Sequence, residues 1–353
     1  MMSRLCRVLL PIVVILALGA QTASGLELTR GRLKLVLHEE IGRFSLYYMT
    51  DIRDQTYLPL FLVQDPRTSS LTVLEGNRAH RMGDANQFTA QTLETVHGGR
   101  FVWESSTLRV VQDFQFITSV TASLADAVVV TVSVTNRSER PTSVGVRYLL
   151  DTELAEDGNT HFTTPSDGSY TREVELAPSE SDWYWRSPSP DHEGVGLQQT
   201  VYGTGVTVPA RIVFANWKRL NESSWDYEVE RRRNFNLLPY SINDSAAAVY
   251  YDPEALSPGE SREIVSVFGN VSDGGYVLRD RGESGLSRVF QQVVSDASNE
   301  AAEASVRADL IAVQDLIEQI DALLANPSEI SRDDIAVLRG IIEELEERRA
   351  EYE

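Results

Sequence analysis

The chain has 353 residues, a net charge of −20 at pH 7 and one cysteine. A protein this acidic repels the phosphate backbone, so we expect no binding to nucleic acid. One cysteine excludes an internal disulfide and a thiolate metal cluster, while the length is sufficient for a large core without such cross-links.

Residues 1–25 have the pattern of an export signal. Arg4 and Arg7 precede an apolar run at 9–18, and the small residues at 23–25 offer a cleavage site. The run is shorter than the roughly 20 residues that a membrane span needs, although an uncleaved anchor is the alternative. The short signal and the lack of cysteine after it predict a bacterial periplasmic or extracellular protein.

Runs rich in β-branched and aromatic residues recur after the signal, separated by Gly, Pro, Asn and Asp. Their alternation predicts antiparallel sheets with one solvated face each, and therefore a large β-sandwich body over residues 26–272. Two tandem sandwiches with a break near 166–182 are the alternative. The predicted strands are 33–37, 43–48, 88–93, 107–117, 128–134, 144–150, 210–214, 247–251 and 262–268.

Four stretches of the body resemble exported bacterial β-sandwich domains, and these are 134–152, 214–217, 243–246 and the Pro-Gly-Glu turn at 256–262. Their order is also faintly similar to the supersandwich fold of galactose-mutarotase-like proteins. This resemblance implies a saccharide site in a concave sheet. The catalytic histidines of the mutarotases have no match in this chain, so the resemblance implies no catalytic residue.

An acidic stretch after the predicted strand 144–150 is a candidate cation site. Asp151, Glu153 and Asp157 are hard oxygen ligands of the kind that Ca²⁺ prefers, and Glu156 and His161 lie close in sequence. The spacing matches no EF-hand loop, so a solvated acidic loop is the alternative. Paired carboxylates also serve glycoside hydrolysis. No other cofactor is indicated.

Tryptophans are concentrated in one part of the body, and such side chains stack on sugars or anchor protein partners. We therefore predict a ligand-binding role for them, with packing between the sheets as the alternative. The four residues are Trp183, Trp185, Trp217 and Trp225.

The remaining motifs do not indicate catalysis. The basic triplet at 231–233 could grip a carboxylate or phosphate, but Glu228 and Glu230 beside it favour a solvated hairpin tip. The five histidines show no zinc spacing, and there is no Gly-x-Ser-x-Gly motif. The sequence leaves the question of enzymatic activity open and favours a binding protein.

A Gly-containing linker at 273–285 leads to a tail at 286–353, which has apolar residues at alternating spacings of three and four. That pattern predicts a C-terminal α-helical hairpin with a heptad (coiled-coil) seam. We expect the seam to bind an envelope protein or a second copy, with docking on the body as the alternative. The predicted partner interface is Leu310, Ile317, Ile320, Leu324, Ile335, Leu338, Ile342 and Leu345.

Together these features predict an exported, non-catalytic binding or scaffold protein of the bacterial envelope. The β body would carry recognition, and the tail would carry assembly. A carbohydrate-binding or carbohydrate-active supersandwich domain is the alternative.

Overall fold

The computed structural model describes residues 25–119, 122, 124–152, 154, 156, 160–166, 168–273, 275, 276, 278, 311, 314 and 317. The predicted signal, except Gly25, and nearly all of the predicted tail lie outside these residues. Of the predicted tail interface only Ile317 is described, and it is helical and 53% exposed. Within the described ranges, no helix has the length and hydropathy that a membrane crossing needs.

The described body is mainly β, with antiparallel strands, a short α-helix and a 3-10 turn at Pro66–Thr68. Its strands are β1 (Gly25–Arg30), β2 (Leu33–His38), β3 (Arg43–Asp51), β4 (Thr56–Pro59), β5 (Ser70–Glu75), β6 (Arg78–Arg81), β7 (Thr89–Thr95), β8 (Gly98–Glu104), β9 (Leu108–Ile117), β10 (Ala127–Asn136), β11 (Thr142–Asp151), β12 (Phe162–Thr164), β13 (Gly168–Tyr170), β14 (Val174–Leu176), β15 (Tyr184–Pro188), β16 (Gly196–Thr200), β17 (Arg211–Asn216), β18 (Ser245–Leu256) and β19 (Ser261–Asn270). The helix α1 is Trp217–Glu222.

The strands form three antiparallel sheets, which confirms the predicted β-sandwich class. Four strands pair in the order β1-β2-β3-β4, and nine pair as β13-β12-β15-β16-β19-β10-β9-β8-β7. The third sheet has the order β14-β17-β18-β11-β5-β6. All nine runs predicted as strands are found, as β2, β3, β7, β9, β10, β11, β17, β18 and β19.

One hydrophobic cluster joins the three sheets. Phe44 of the four-stranded sheet packs edge-on against Phe114 of the nine-stranded sheet, with ring centroids 4.9 Å apart. Tyr148 of the six-stranded sheet lies 5.5 Å from Phe268 of the nine-stranded sheet. Residues on both sides of 166–182, where the alternative of two sandwiches places its break, belong to this cluster. Burial of this apolar surface is the main force that holds the sheets together.

The six-stranded sheet is buried on both faces, so the expectation of one solvated face is wrong for this sheet. Its outer face carries Leu149, Val213 and Ala248, which form a second cluster with Leu220 and Trp225. These last two residues belong to the excursion of the chain between β17 and β18. We call residues 217–244 the cover segment. It lies on the outer face and removes it from solvent.

A buried carboxylate holds the cover segment in place. The side chain of Glu173, just before β14, is fully buried and pairs with Arg219 of α1. The backbone N–H of Glu230 donates to the same carboxylate at 3.0 Å, and Arg233 pairs with Glu230 at 2.9 Å. The predicted basic triplet is therefore divided, since Arg233 joins this network while its two neighbours are exposed.

Asp126 is a buried acid directly before β10 of the nine-stranded sheet. Its carboxylate accepts hydrogen bonds from the backbone N–H of Ser119 at 2.7 Å and from the Ser119 hydroxyl at 2.6 Å. Burial raises the pKa of Asp126 to about 6, although the Ser119 hydrogen bonds oppose the shift. Since the folded pKa exceeds the unfolded value of 3.8, the contribution to stability is complete below pH 3.8 and is lost as the pH rises through 6.

Asp126→Asn should therefore stabilise the protein at alkaline pH. The amide keeps one acceptor for the Ser119 N–H and donates to the hydroxyl, as the protonated acid does. We expect the free energy of unfolding at pH 8 to rise by up to about 3 kcal/mol, with little change at pH 4. Urea denaturation of both proteins at the two pH values measures this. An equal difference at both values would show that the charge of Asp126 is not responsible.

Candidate functional site

Three carboxylates meet at one end of the six-stranded sheet. Asp151 ends β11, Glu156 lies in the loop that follows it, and Asp244 directly precedes β18. Because β11 and β18 are antiparallel and Asp151 pairs with Ala246, the start of β18 lies beside the end of β11. One oxygen from each of the three carboxylates lies within 4.8 Å of the others. We call these residues the carboxylate cluster.

Hydrogen bonds from neighbouring loops position the cluster. The backbone N–H of Ser245 donates to Glu156 Oε1 at 3.0 Å, and the N–H of Asp151 donates to Ser69 Oγ at 2.9 Å. His161, which is buried, lies 2.8 Å from Ser245 Oγ through Nδ1. Burial lowers the pKa of His161, so the neutral imidazole is favoured beside the carboxylates.

Asp244, like Glu156, is partly buried. Burial raises the pKa of its carboxyl group, while a hydrogen bond from Ser241 and the charge of Lys218 act in the opposite direction. The Lys218 ammonium also lies 5.0 Å from the centre of the Tyr240 ring. Lys218 therefore contacts Tyr240 and also acts on the charge of Asp244.

An exposed apolar loop borders the carboxylate cluster. Leu238, Tyr240 and Ile242 are 73%, 72% and 70% exposed. A bridge between Leu237 and Ser241 closes the loop, and Asn216 Nδ2 holds its base by donating to the Asp244 carbonyl at 3.0 Å. We call residues 237–242 the apolar loop. Large apolar side chains this exposed, in a group, indicate a binding surface.

The carboxylate cluster contains only part of the predicted cation site. Asp151 belongs to it, whereas Glu153 and Asp157 lie outside the described residues and stay predictions. Sequence reasoning missed Asp244, because it is remote from Asp151 in the chain and only the β11–β18 pairing brings the two together. Oxygens bound to one Ca²⁺ lie no more than about 5 Å apart, so the spacing of the cluster suits this ion.

The four predicted tryptophans do not share one surface. Trp185 is fully buried in the main core, and Trp225 is 8% exposed beneath the cover segment. Trp183 is half-buried, as is Trp217, whose Nε1 donates to the Thr68 carbonyl at 2.9 Å. A ligand-anchoring role for these residues stays a prediction, and the exposed aromatic side chain at the carboxylate cluster is Tyr240.

The comparisons with known proteins show similarity in fold only. No family model matches the chain, and no curated protein matches it by sequence. A putative aldose 1-epimerase from Escherichia coli K12 matches in structure with 13% identity and a TM-score of 0.45, covering 70% of this chain and 99% of that one. A galactose mutarotase related enzyme from Lactobacillus acidophilus has 9% identity and a TM-score of 0.43, covering 72% and 100%.

Heparan sulfate lyase from Pedobacter heparinus matches with 11% identity and a TM-score of 0.35, covering 74% of this chain and 38% of the lyase. The epimerase and the mutarotase related enzyme show that the chain is faintly similar in fold to galactose-mutarotase-like proteins, as the sequence resemblance predicted.

Proposed function

We propose that the β body binds a neutral saccharide at the carboxylate cluster and the apolar loop. The observation that carries this proposal is the exposed Tyr240 ring beside three carboxylates whose oxygens lie within 4.8 Å of one another. An exposed aromatic face packs against the apolar face of a sugar ring. Carboxylates accept hydrogen bonds from sugar hydroxyls, and such charged acceptors form the stronger hydrogen bonds.

The charge of the site selects the class of saccharide. Three carboxylates in a chain of net charge −20 repel a uronate or a sulfated sugar. A neutral sugar avoids this repulsion and still offers hydroxyl donors. Ca²⁺ held by Asp151, Glu156 and Asp244 would still leave one net negative charge on these groups, so the preference for a neutral sugar would remain. The ion would coordinate sugar hydroxyls directly, and the spacing of the carboxylate oxygens supports that role.

The cellular setting is part of the same proposal. The signal at 1–25 would bring the protein to the periplasm or the cell exterior, and the heptad pattern of 286–353 would attach it to an envelope protein or a second copy. The body would then present its saccharide site while the tail carries assembly.

A glycan screen of the full chain, followed by calorimetry on the best neutral ligand, tests the saccharide site. We expect Tyr240→Ala and Asp244→Asn each to weaken binding about tenfold, because one removes the stacking surface and the other a charged acceptor. Removal of Ca²⁺ by a chelator should weaken it further. Tyr202→Ala is the matched control, since Tyr202 is an exposed tyrosine that follows β16.

Two results would contradict the proposal. If uronic or sulfated glycans bind better than neutral ones, the charge argument fails. If Tyr240→Ala and Asp244→Asn both bind as the unchanged protein does, the saccharide lies elsewhere on the body.

A further inference from the structure

A row of arginines crosses the outer face of the six-stranded sheet. The register places Arg81 of β6 opposite Thr72 of β5, Thr72 opposite Arg147 of β11, Arg147 opposite Tyr250 of β18, and Tyr250 opposite Arg211 of β17. Directly opposed residues on one face are near neighbours, with Cβ atoms about 5 Å apart. We call these five residues the arginine row. It lies beneath the cover segment in a strongly acidic protein.

The two outer arginines of the row have acidic partners. Arg211 pairs with Glu175 at 3.2 Å, and Arg81 Nε lies 4.0 Å from an Asp84 carboxylate oxygen. Arg211 also lies over the Tyr250 ring, 4.3 Å from its centre. Arg211 therefore has a carboxylate partner, while Arg81 shares Asp84 with Arg43, which lies 2.9 Å from the same oxygen.

Arg147, at the centre of the row, has no acidic partner among the described residues. It is 1% exposed, and its Nη1 donates to the carbonyl and to the hydroxyl of Ser223, both at 3.1 Å. Within the described part of the chain, no carboxylate lies within ion-pair distance of this guanidinium. Because buried charges in proteins are paired almost without exception, this arrangement calls for a negative charge.

Buried polar atoms around Arg147 have no hydrogen-bond partner among the described residues. They are Arg147 Nε, Tyr250 Oη and the hydroxyls of Ser70 and Thr72. Each of these side chains is more than nine-tenths buried. Ser70 and Thr72 are two residues apart on β5, so their side chains point to the same face of the sheet. The Nε–H and three hydroxyls thus all lack an acceptor on one side of the sheet.

We propose that the arginine row binds a small oxyanion at Arg147, beneath the cover segment. The Nε edge of the guanidinium is the edge that grips two oxygens of a carboxylate, phosphate or sulfate in parallel. The Thr72 hydroxyl, on the neighbouring strand, is placed to donate to the same ion. The bound ion would supply the charge that Arg147 lacks and satisfy donors that are otherwise buried without a partner.

Water alone would not complete this site. Buried water satisfies polar groups, but it leaves the charge of Arg147 uncompensated. The charge of Arg147 also affects Arg81. Burial is the main cause that lowers the pKa of Arg81, and the charge of Arg147 lowers it too, while Asp84 raises it. An anion between the two guanidinium groups would relieve that repulsion.

The oxyanion site is separate from the carboxylate cluster. The N-cap of α1 is Asn216, which bonds the Asp244 backbone at the cluster, while the C-cap of α1 is Ser223, which bonds Arg147. Trp225 closes the site on the other side, where its ring packs edge-on against Tyr250 at 5.6 Å. The ion therefore enters either during folding or when the cover segment opens.

Thermal unfolding in the presence of anions tests the site, because a ligand of the folded state raises the unfolding midpoint whether it exchanges or is trapped during folding. The full chain is refolded and heated with phosphate, sulfate or acetate, at an ionic strength held constant with chloride. The variants are Arg147→Gln and Thr72→Val. The control is Arg109→Gln, which removes a partly exposed arginine that pairs with Glu104 on the nine-stranded sheet.

We expect at least one oxyanion to raise the midpoint by about 5 °C or more at a hundredfold excess over its dissociation constant, in the unchanged protein and in Arg109→Gln. Arg147→Gln should lose this rise, and Thr72→Val should show a smaller one. Phosphate and sulfate also stabilise proteins generally by exclusion from the surface. This general effect is the same in Arg109→Gln and Arg147→Gln, so the difference between these two variants reports the site alone. A response to acetate alone would show that the site binds a carboxylate. A response to phosphate or sulfate would show that it binds a tetrahedral ion.

An equal rise in Arg147→Gln and Arg109→Gln would overturn the proposal, as would the absence of any rise in the unchanged protein. If Arg147→Gln does not fold, Thr72→Val decides the matter. This variant keeps the shape of the side chain and removes one donor, so an unchanged response to the oxyanion would overturn the site.

Discussion

Trp185→Ala is expected to lower the free energy of unfolding by about 3 to 5 kcal/mol, the usual cost of truncating a large buried aromatic side chain. Trp185 is fully buried in the main core. Its ring packs edge-on against Phe162 at 5.8 Å and Phe214 at 5.6 Å, so it joins the nine-stranded sheet to the six-stranded sheet. Its Nε1 donates to Gln199 Oε1 at 2.8 Å, and truncation would leave that buried acceptor without its donor.

Guanidinium denaturation of the full chain measures this cost, and Trp183→Ala is the matched control. Trp183 is two residues away but only half-buried, so its truncation should cost much less. Equal losses for the two variants would show that depth in the core does not determine the effect. A saccharide bound equally well by Trp185→Ala and by the unchanged protein would also separate this residue from ligand recognition.

Arg219→Met should cost about 3 to 5 kcal/mol, because it removes the partner of a buried carboxylate. The Glu173 side chain is fully buried, and the remaining arginine, Arg233, is 4.0 Å away. Arg219 also pairs with Glu230 at 2.8 Å. Loss of these contacts should loosen the cover segment, so amide hydrogen exchange within 217–230 should become faster than in the unchanged protein.

The matched control for this network is Arg232→Met, since Arg232 is exposed and the change should stay within about 0.5 kcal/mol. A double-mutant cycle with Glu173→Gln isolates the pair itself. Once the carboxylate is neutral, the second change should cost much less than it does alone. Additive losses would show that Arg219 acts through packing and not through the buried charge.

Most strands that sequence reasoning found have a burial pattern close to period two or a continuous apolar run, and β7, whose residues are mostly exposed, is an exception. β10 shows the alternation most clearly, with Val128, Val130, Val132 and Val134 all fully buried on one face. Strands β4, β6, β12, β13 and β14 have only three or four residues each. Such segments contain too few residues for a period to appear. Whether they form strands depends on the strands with which they pair.

The candidate sites depend on contacts that local patterns cannot show. Asp151 could be singled out as a carboxylate at the end of a strand, but Asp244 reaches it only through sheet pairing. Arg147 occupies a position between Val146 and Tyr148 that alternation assigns to solvent. The cover segment buries Arg147. The sequence of residues 217–244 has no periodic pattern that would predict a segment covering this face of the sheet.

The order of the strands also has a consequence for biosynthesis. β18 and β19, the last strands of the body, lie in the interior of their sheets, where β19 separates β16 from β10 and β18 separates β17 from β11. The six-stranded sheet cannot be completed until Leu256 has left the ribosome, and the nine-stranded sheet cannot be completed until Asn270 has. Pairings over so long a stretch of chain form slowly. Both sheets therefore stay incomplete until nearly all of the body has been synthesised.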